Sequence, residues 1–203
     1  MGQIHGYSLG SPTANVTANG ELVVLGSTFL INEKDHMTGH IGTISVEHHG
    51  IHEGYHYFIE NFQILASGVF INFGYVVPAG SVNPHLQWNI CGTSQTEFRV
   101  YEGVTLSGGV ALIPVNNNRQ STNTSKMIVS LNPTVSASGT LILASSRGRT
   151  STNPIQADWG RDITRENELI LKSGTSYLFA IKSVDDTNVI DYRGYWYEVT
   201  DGA

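Results

Sequence analysis

Apolar and polar residues alternate along most of the chain at a period of two, which sends successive side chains to opposite faces of a strand. In His85–Cys91 (HLQWNIC), Leu86, Trp88 and Ile90 share one face, and in Glu97–Gly103 (EFRVYEG), Phe98 and Val100 turn away from Glu97, Arg99 and Tyr101. Both read as half-buried strands. The same pattern recurs in Glu21–Leu25, Ser27–Ile31, Lys126–Leu131, Thr140–Ala144, Tyr177–Val184 and Tyr195–Thr200, with clusters such as SGG, NNNRQSTN and NPTVSASG between them. β-Branched and aromatic runs with turn signals about every ten residues predict an all-β sandwich or barrel. Only Thr164–Lys172 predicts a helical turn, because Thr164 and Asn167 offer caps and Glu166 and Glu168 suit a helix N-terminus.

Residues 1–20 follow neither structural period and carry no charge. They are expected to form an extended N-terminal arm, followed by one sandwich domain over residues 21–203. Ile4, Tyr7 and Leu9 are its candidate anchors on another subunit, since docking an arm costs backbone entropy that buried apolar area must offset.

A chain of 203 residues supports one good core and is short for two ordinary domains. Charged residues are 14% of it and Gly supplies 22, which excludes a helical bundle, while 40% hydrophobic residues exclude a disordered chain. The net charge of −6 lacks the basic excess that neutralises phosphates, so nucleic acid is not an expected partner. The opening MGQIHGYSLG lacks the basic and apolar regions of a secretory signal, and no stretch approaches the roughly 18 apolar residues of a membrane span. Synthesis in a cytosol and no membrane partner are expected. Cys91 is the single cysteine, which excludes an intrachain disulfide framework and a multi-cysteine metal site.

From Gly103 to Ser146 the only charges are Arg119 and Lys126. A buried core strand pair with polar turns would explain this, and so would a subunit interface rich in neutral hydrogen bonds, because interface centres are depleted of charge. The buried strand pair is the more ordinary reading.

Histidines 36, 40, 48, 49, 52 and 56 crowd into about twenty residues, and His52–His56 (HEGYH) matches the H-E-x-x-H pattern of zinc hydrolases. That chemistry needs both histidines on one face of a regular helix. Gly50 and Gly54 interrupt the segment, and the flanking TISVEHHG and YHYFIENF favour extended structure, so no zinc site is expected at His52, Glu53 and His56. The histidines are expected to serve as hydrogen-bonding groups along strands and loops. On an extended strand His48, His52 and His56 would share a face, which leaves interfacial metal or proton binding as the minor reading.

Trp88, Trp159 and Trp196 with Tyr192, Tyr195 and Tyr197 could make a sugar-stacking platform, but alternating strand positions favour core anchors. The sequons at Asn15 and Asn123 have no consequence without secretion. The GxSxG elbow, the P-loop, the dinucleotide fingerprint and the deaminase signature are absent from the sequence. No nucleophile, base and orienting group cluster, so neither an enzyme nor a cofactor is expected.

Three segments carry a family resemblance. They are Glu47–Phe58 (EHHGIHEGYHYF), the Tyr101-Glu102-Gly103 triplet with the Asn118-Arg119 pair, and the Trp196-Tyr197-Glu198 core of YWYEVTDG. In order and spacing they resemble a family of small tailed-bacteriophage virion proteins commonly encoded beside head genes. The resemblance implies a structural protein of the virion, a capsid decoration or cement protein with a jelly-roll-like antiparallel β-sandwich. For such a protein, synthesis in the host cytoplasm, location on the capsid surface and the major capsid protein as partner are expected; self-association, expected as a homotrimer, follows from closed symmetry, which buries a charge-poor surface without leaving an exposed sticky patch. The resemblance brings no catalytic residues, metal or cofactor. The alternative of another class is a head-fibre or tail-associated module that binds a host glycan.

Overall fold

The computed structural model describes residues 15–16, 22–23, 31–34, 41–44, 46–80, 83–148, 157–159 and 168–199; those before residue 48, residues 157–159 and Val199 are described by backbone alone. The chain divides into two compact units, Met1–Glu53 and Gly54–Ala203. In the first, β1 (Asn15–Val16) pairs with β2 (Leu22–Val23) and β3 (Ile31–Lys34) with β4 (Ile41–Ile44), and α1 spans Val46–His52. The expected boundary between arm and sandwich, at residues 20 and 21, lies outside the described residues.

The second unit contains β5 (His56–Leu65), β6 (Phe70–Val76), β7 (Asn83–Gly92), β8 (Thr96–Glu102), β9 (Thr105–Ser107), β10 (Val110–Leu112) and β11 (Val115–Asn116). There follow β12 (Ile128–Leu131), β13 (Thr134–Ala137), β14 (Thr140–Arg147), β15 (Ala157–Trp159), β16 (Leu169–Ile170), β17 (Ser176–Ser183) and β18 (Asn188–Val199). One sheet runs β10-β12-β6-β17-β8-β14, and the other runs β11-β5-β18-β7-β15 with β16 also on β7. All pairings are antiparallel. Without the strands inserted between β8 and β14, the orders reduce to β6-β17-β8-β14 and β5-β18-β7-β15. Successive strands β5 to β8 alternate between sheets, and β17 and β18 return to the centre of each. That is the eight-stranded double Greek key of a jelly roll. The expected all-β sandwich is the observed fold.

Alternation builds the core. Phe98 and Val100 of β8 and Tyr177, Phe179 and Ile181 of β17 point inward from one sheet, and Leu86, Ile90, Ile190, Tyr192 and Trp196 point inward from the other. Phe73 stacks on Tyr192 with ring centroids 4.0 Å apart, and Trp88 packs on Phe98 and Phe179. Each fully buried side chain of this size contributes roughly 1.5–3 kcal/mol. Gly194 faces the same core, where a Cβ would run into the hydroxyls of Tyr75 and Tyr192, so only glycine lets β18 pass.

Two local expectations are corrected. Leu169–Ile170 is a strand paired with β7 in the register Leu169↔Leu86, not part of a helical turn. A short isolated helix is marginal in water, and a free strand edge offers better-placed hydrogen bonds. Residues 46–52, expected to be extended, form the seven-residue helix α1.

Candidate assembly surface

The charge-poor stretch Gly103–Ser146 comprises the long connection from β8 together with most of β14. It first lays β9 and β13 as a ribbon on the outer face of the sheet that contains β6 and β17. There Leu106 and Val135 pack on Leu178 and Ala180, the residues of β17 that alternate away from the main core. Gly74 makes room, because a Cβ at this position would lie 2.8 Å from Leu106 Cδ1 and 2.9 Å from Pro133 Cγ. The connection then adds β10 and β12 beyond β6, and β11 beside β5.

Neutral side chains hold this connection in shape. Asn116 Nδ2 donates to the carbonyls of Gly54 at 2.9 Å and Asn123 at 3.1 Å, and its Oδ1 accepts from Asn118 N at 2.9 Å. Asn118 Oδ1 accepts from Gln120 N, and Ser121 Oγ from Asn123 N. These Asx- and Ser-type turns explain the run NNNRQSTN without any need for charge. Farther along, the buried Glu198 carboxylate accepts from the backbone of Lys126 and Met127, from the Ser125 hydroxyl and, at 3.1 Å, from Trp196 Nε1.

Of this whole stretch only Val104, Asn116, Met127, Val129 and Pro133 are buried. The reading of a buried core strand pair is therefore corrected: with the sandwich already filled from both sheets, a long connection runs over the surface. Ile113 is 85% exposed, Val110 65% and Ile128 59%, and Leu141 and Ile142 are exposed on β14. Among the described residues, β10 and β14 are the outermost strands of the sheet that contains β6. Sheet edges are ordinarily blunted by charged side chains; here Val110 stands exposed on β10 and Leu141 and Ile142 on β14, whose one charged residue, Arg147, lies at its end. Among the described residues, ion pairs of this sheet stand at Glu97–Arg99, Glu97–Lys182 and Glu102–Lys172. The Lys172 ammonium, bonded to Glu102, holds that carboxyl below its ordinary value against a smaller opposing effect of burial.

The histidine region separates. α1 ends at His52, Gly54 takes φ +75°, a left-handed conformation that no helix continues through, and His56 lies in β5. The helical face that H-E-x-x-H chemistry requires does not form. His48 and His52 are on the helix rather than on the extended strand expected for them.

A polar cluster that the sequence did not announce sits on the outer face of β7 and β18. His85 Nδ1 is 2.9 Å from Glu168 Oε1, Tyr197 donates to the same carboxylate at 3.2 Å, and Gln87 Nε2 donates to its other oxygen at 3.2 Å. The rings of His85 and Tyr197 stack with centroids 4.5 Å apart. An imidazole beside a carboxylate is half of an acid–base triad, and the hydroxyl within hydrogen-bond distance of His85 is the Tyr197 phenol, 3.0 Å from the same Nδ1 that faces Glu168. The cluster instead pins β16 to the sheet. His85 stood at a polar position of an expected strand and Tyr197 among the expected core anchors, yet only the pairing of β16 with β7 carries Glu168 to them.

Farther along the same face, Arg193 lies over the Phe58 ring at 4.8 Å, and Glu60 stands opposite Arg193 in the β5–β18 register. Burial, and after it the Glu60 charge, raise the Asp191 carboxyl, with Arg193 opposing. The aromatic platform suggested by the sequence does not assemble, since Trp196 and Tyr192 are fully in the core and Tyr197 is buried. The arm residues Ile4, Tyr7 and Leu9 lie outside the described residues, as does the Trp159 side chain.

No family model matches the chain, and neither does any curated protein or solved structure.

Proposed function

We propose that this protein is a structural component of a tailed-bacteriophage virion, a decoration protein that assembles with itself, as a trimer, and binds the major capsid lattice. The observation that carries the reading is the exposed aliphatic residues on β10 and β14, the outermost strands of one sheet among the described residues, within a stretch almost devoid of charge. Exposed apolar area at both edges of one sheet suits closed, head-to-tail self-association, in which one edge of a copy meets the other edge of the next. The Asn and Ser turns that fix the connection reduce the ordering cost of such contacts. The jelly roll agrees with a capsid role at the level of fold analogy, a weaker warrant than the surface itself. A protein that binds the assembled lattice better than free capsid subunits stabilises the shell by mass action. The arm, through Ile4, Tyr7 and Leu9, is the proposed tether to a neighbouring subunit.

The glycan-binding alternative loses support because its aromatic set is spent on the core. Quantitative mass spectrometry of purified virions tests the proposal. Copies that scale with the major capsid protein are expected, and a handful of copies per particle, or none, would replace decoration with a tail part or a non-virion role.

A further inference from the structure

His48 and His52 stand one turn apart on α1, both exposed, with Nε2 atoms 3.0 Å apart and ring centroids 4.7 Å apart. A hydrogen bond between two neutral rings accounts for that distance when one Nε2 carries its proton. A shared metal ion accounts for it equally well. Two imidazole nitrogens about 2.0–2.1 Å from one ion, set at a right angle around it, lie about 2.8–3.0 Å apart, whereas the tetrahedral angle of zinc would hold them at about 3.3–3.4 Å. The right angle is that of tetragonal and octahedral coordination, and copper(II) and nickel(II) combine that geometry with a preference for imidazole.

We propose that His48 and His52 form a two-histidine chelate for a divalent ion of the copper or nickel type, a site that uses neither Glu53 nor His56. Residues four apart on a helix already face each other, so once the first imidazole binds, the second is held at high effective concentration. Binding moves the donor ring's proton from Nε2 to Nδ1, leaving both rings neutral and both Nε2 lone pairs on the metal. Two nitrogens leave the rest of the coordination sphere to water or to donors from elsewhere. The site is independent of the virion role, and so are its tests.

The full chain titrated with copper(II) sulfate, followed by visible absorption and electron paramagnetic resonance, is expected to show one tight ion with hyperfine structure from two ring nitrogens. His48→Ala and His52→Ala are each expected to weaken that binding by roughly a hundredfold, as loss of a chelate does. Glu53→Gln is expected to leave it unchanged. Alanine preserves a helix, and circular dichroism checks that it does here. A wild-type spectrum with a single nitrogen, which needs no variant to interpret, overturns the chelate. Copper affinity unaffected by either alanine substitution overturns it as well.

Discussion

The hydroxyls of Tyr75 and Tyr192 meet 2.6 Å apart at the centre of the sandwich, one from each sheet. Both rings are fully buried, and Gly194 leaves the space that lets them meet. A buried hydroxyl is costly unless paired, and each of these satisfies the other. Tyr75→Phe or Tyr192→Phe alone is expected to destabilise the protein by about 1–3 kcal/mol, because the remaining hydroxyl loses its partner. The double substitution is expected to cost less than the sum of the two. Denaturant unfolding of all four proteins measures the cycle.

Alkaline pH should unfold the sandwich. Burial pushes the Tyr57, Tyr177 and Tyr195 hydroxyls up to about 12, and raises Tyr192 and Tyr75 further, with the Tyr192 hydroxyl adding to the effect on Tyr75. The folded state therefore holds these protons above the pH of about 10 at which an unfolded chain releases them. This stability is fully present below pH 10 and is lost as pH rises from there through about 12. Tyrosinate absorbance and melting temperature followed together across that range should change in concert. Early, non-cooperative ionisation of all the tyrosines would contradict the buried arrangement.

Charge placed on β10 and β14 should separate assembly from folding. Val110→Glu and Leu141→Glu alter exposed side chains and are expected to change stability by no more than about 0.5 kcal/mol. Sedimentation should show the oligomer lost in both. If both variants stay assembled, the contact between copies lies elsewhere.

Glu198→Ala removes the acceptor shared by the Lys126 and Met127 amides and the Trp196 indole. A loss of about 1–3 kcal/mol is expected, since the Lys126 amide loses its acceptor while the Met127 amide and the Trp196 indole keep only the Ser125 hydroxyl, at 3.1 and 3.3 Å. Hydrogen exchange should locate the loosening at residues 125–127. Equal protection in the variant and the native protein would show that the carboxylate does not fasten this segment.

The alternation of Leu86, Trp88 and Ile90, and of Phe98 and Val100 against their polar neighbours, determined the strands and their inward faces, because a period of two is a local property written into each run. Composition determined that the chain is a β protein. The sequence did not determine that Leu169 and Ile170 would be a strand, nor that Gly103–Ser146 would be surface. The first depends on an unfilled edge of β7 and the second on a core already filled by other strands. Local pattern also misread residues 46–52, where a helical turn formed despite Gly50. The Glu168–His85–Tyr197 cluster joins three segments distant in sequence. Such side chains meet only once pairing registers are fixed, and register is set by the whole sheet rather than by any one strand.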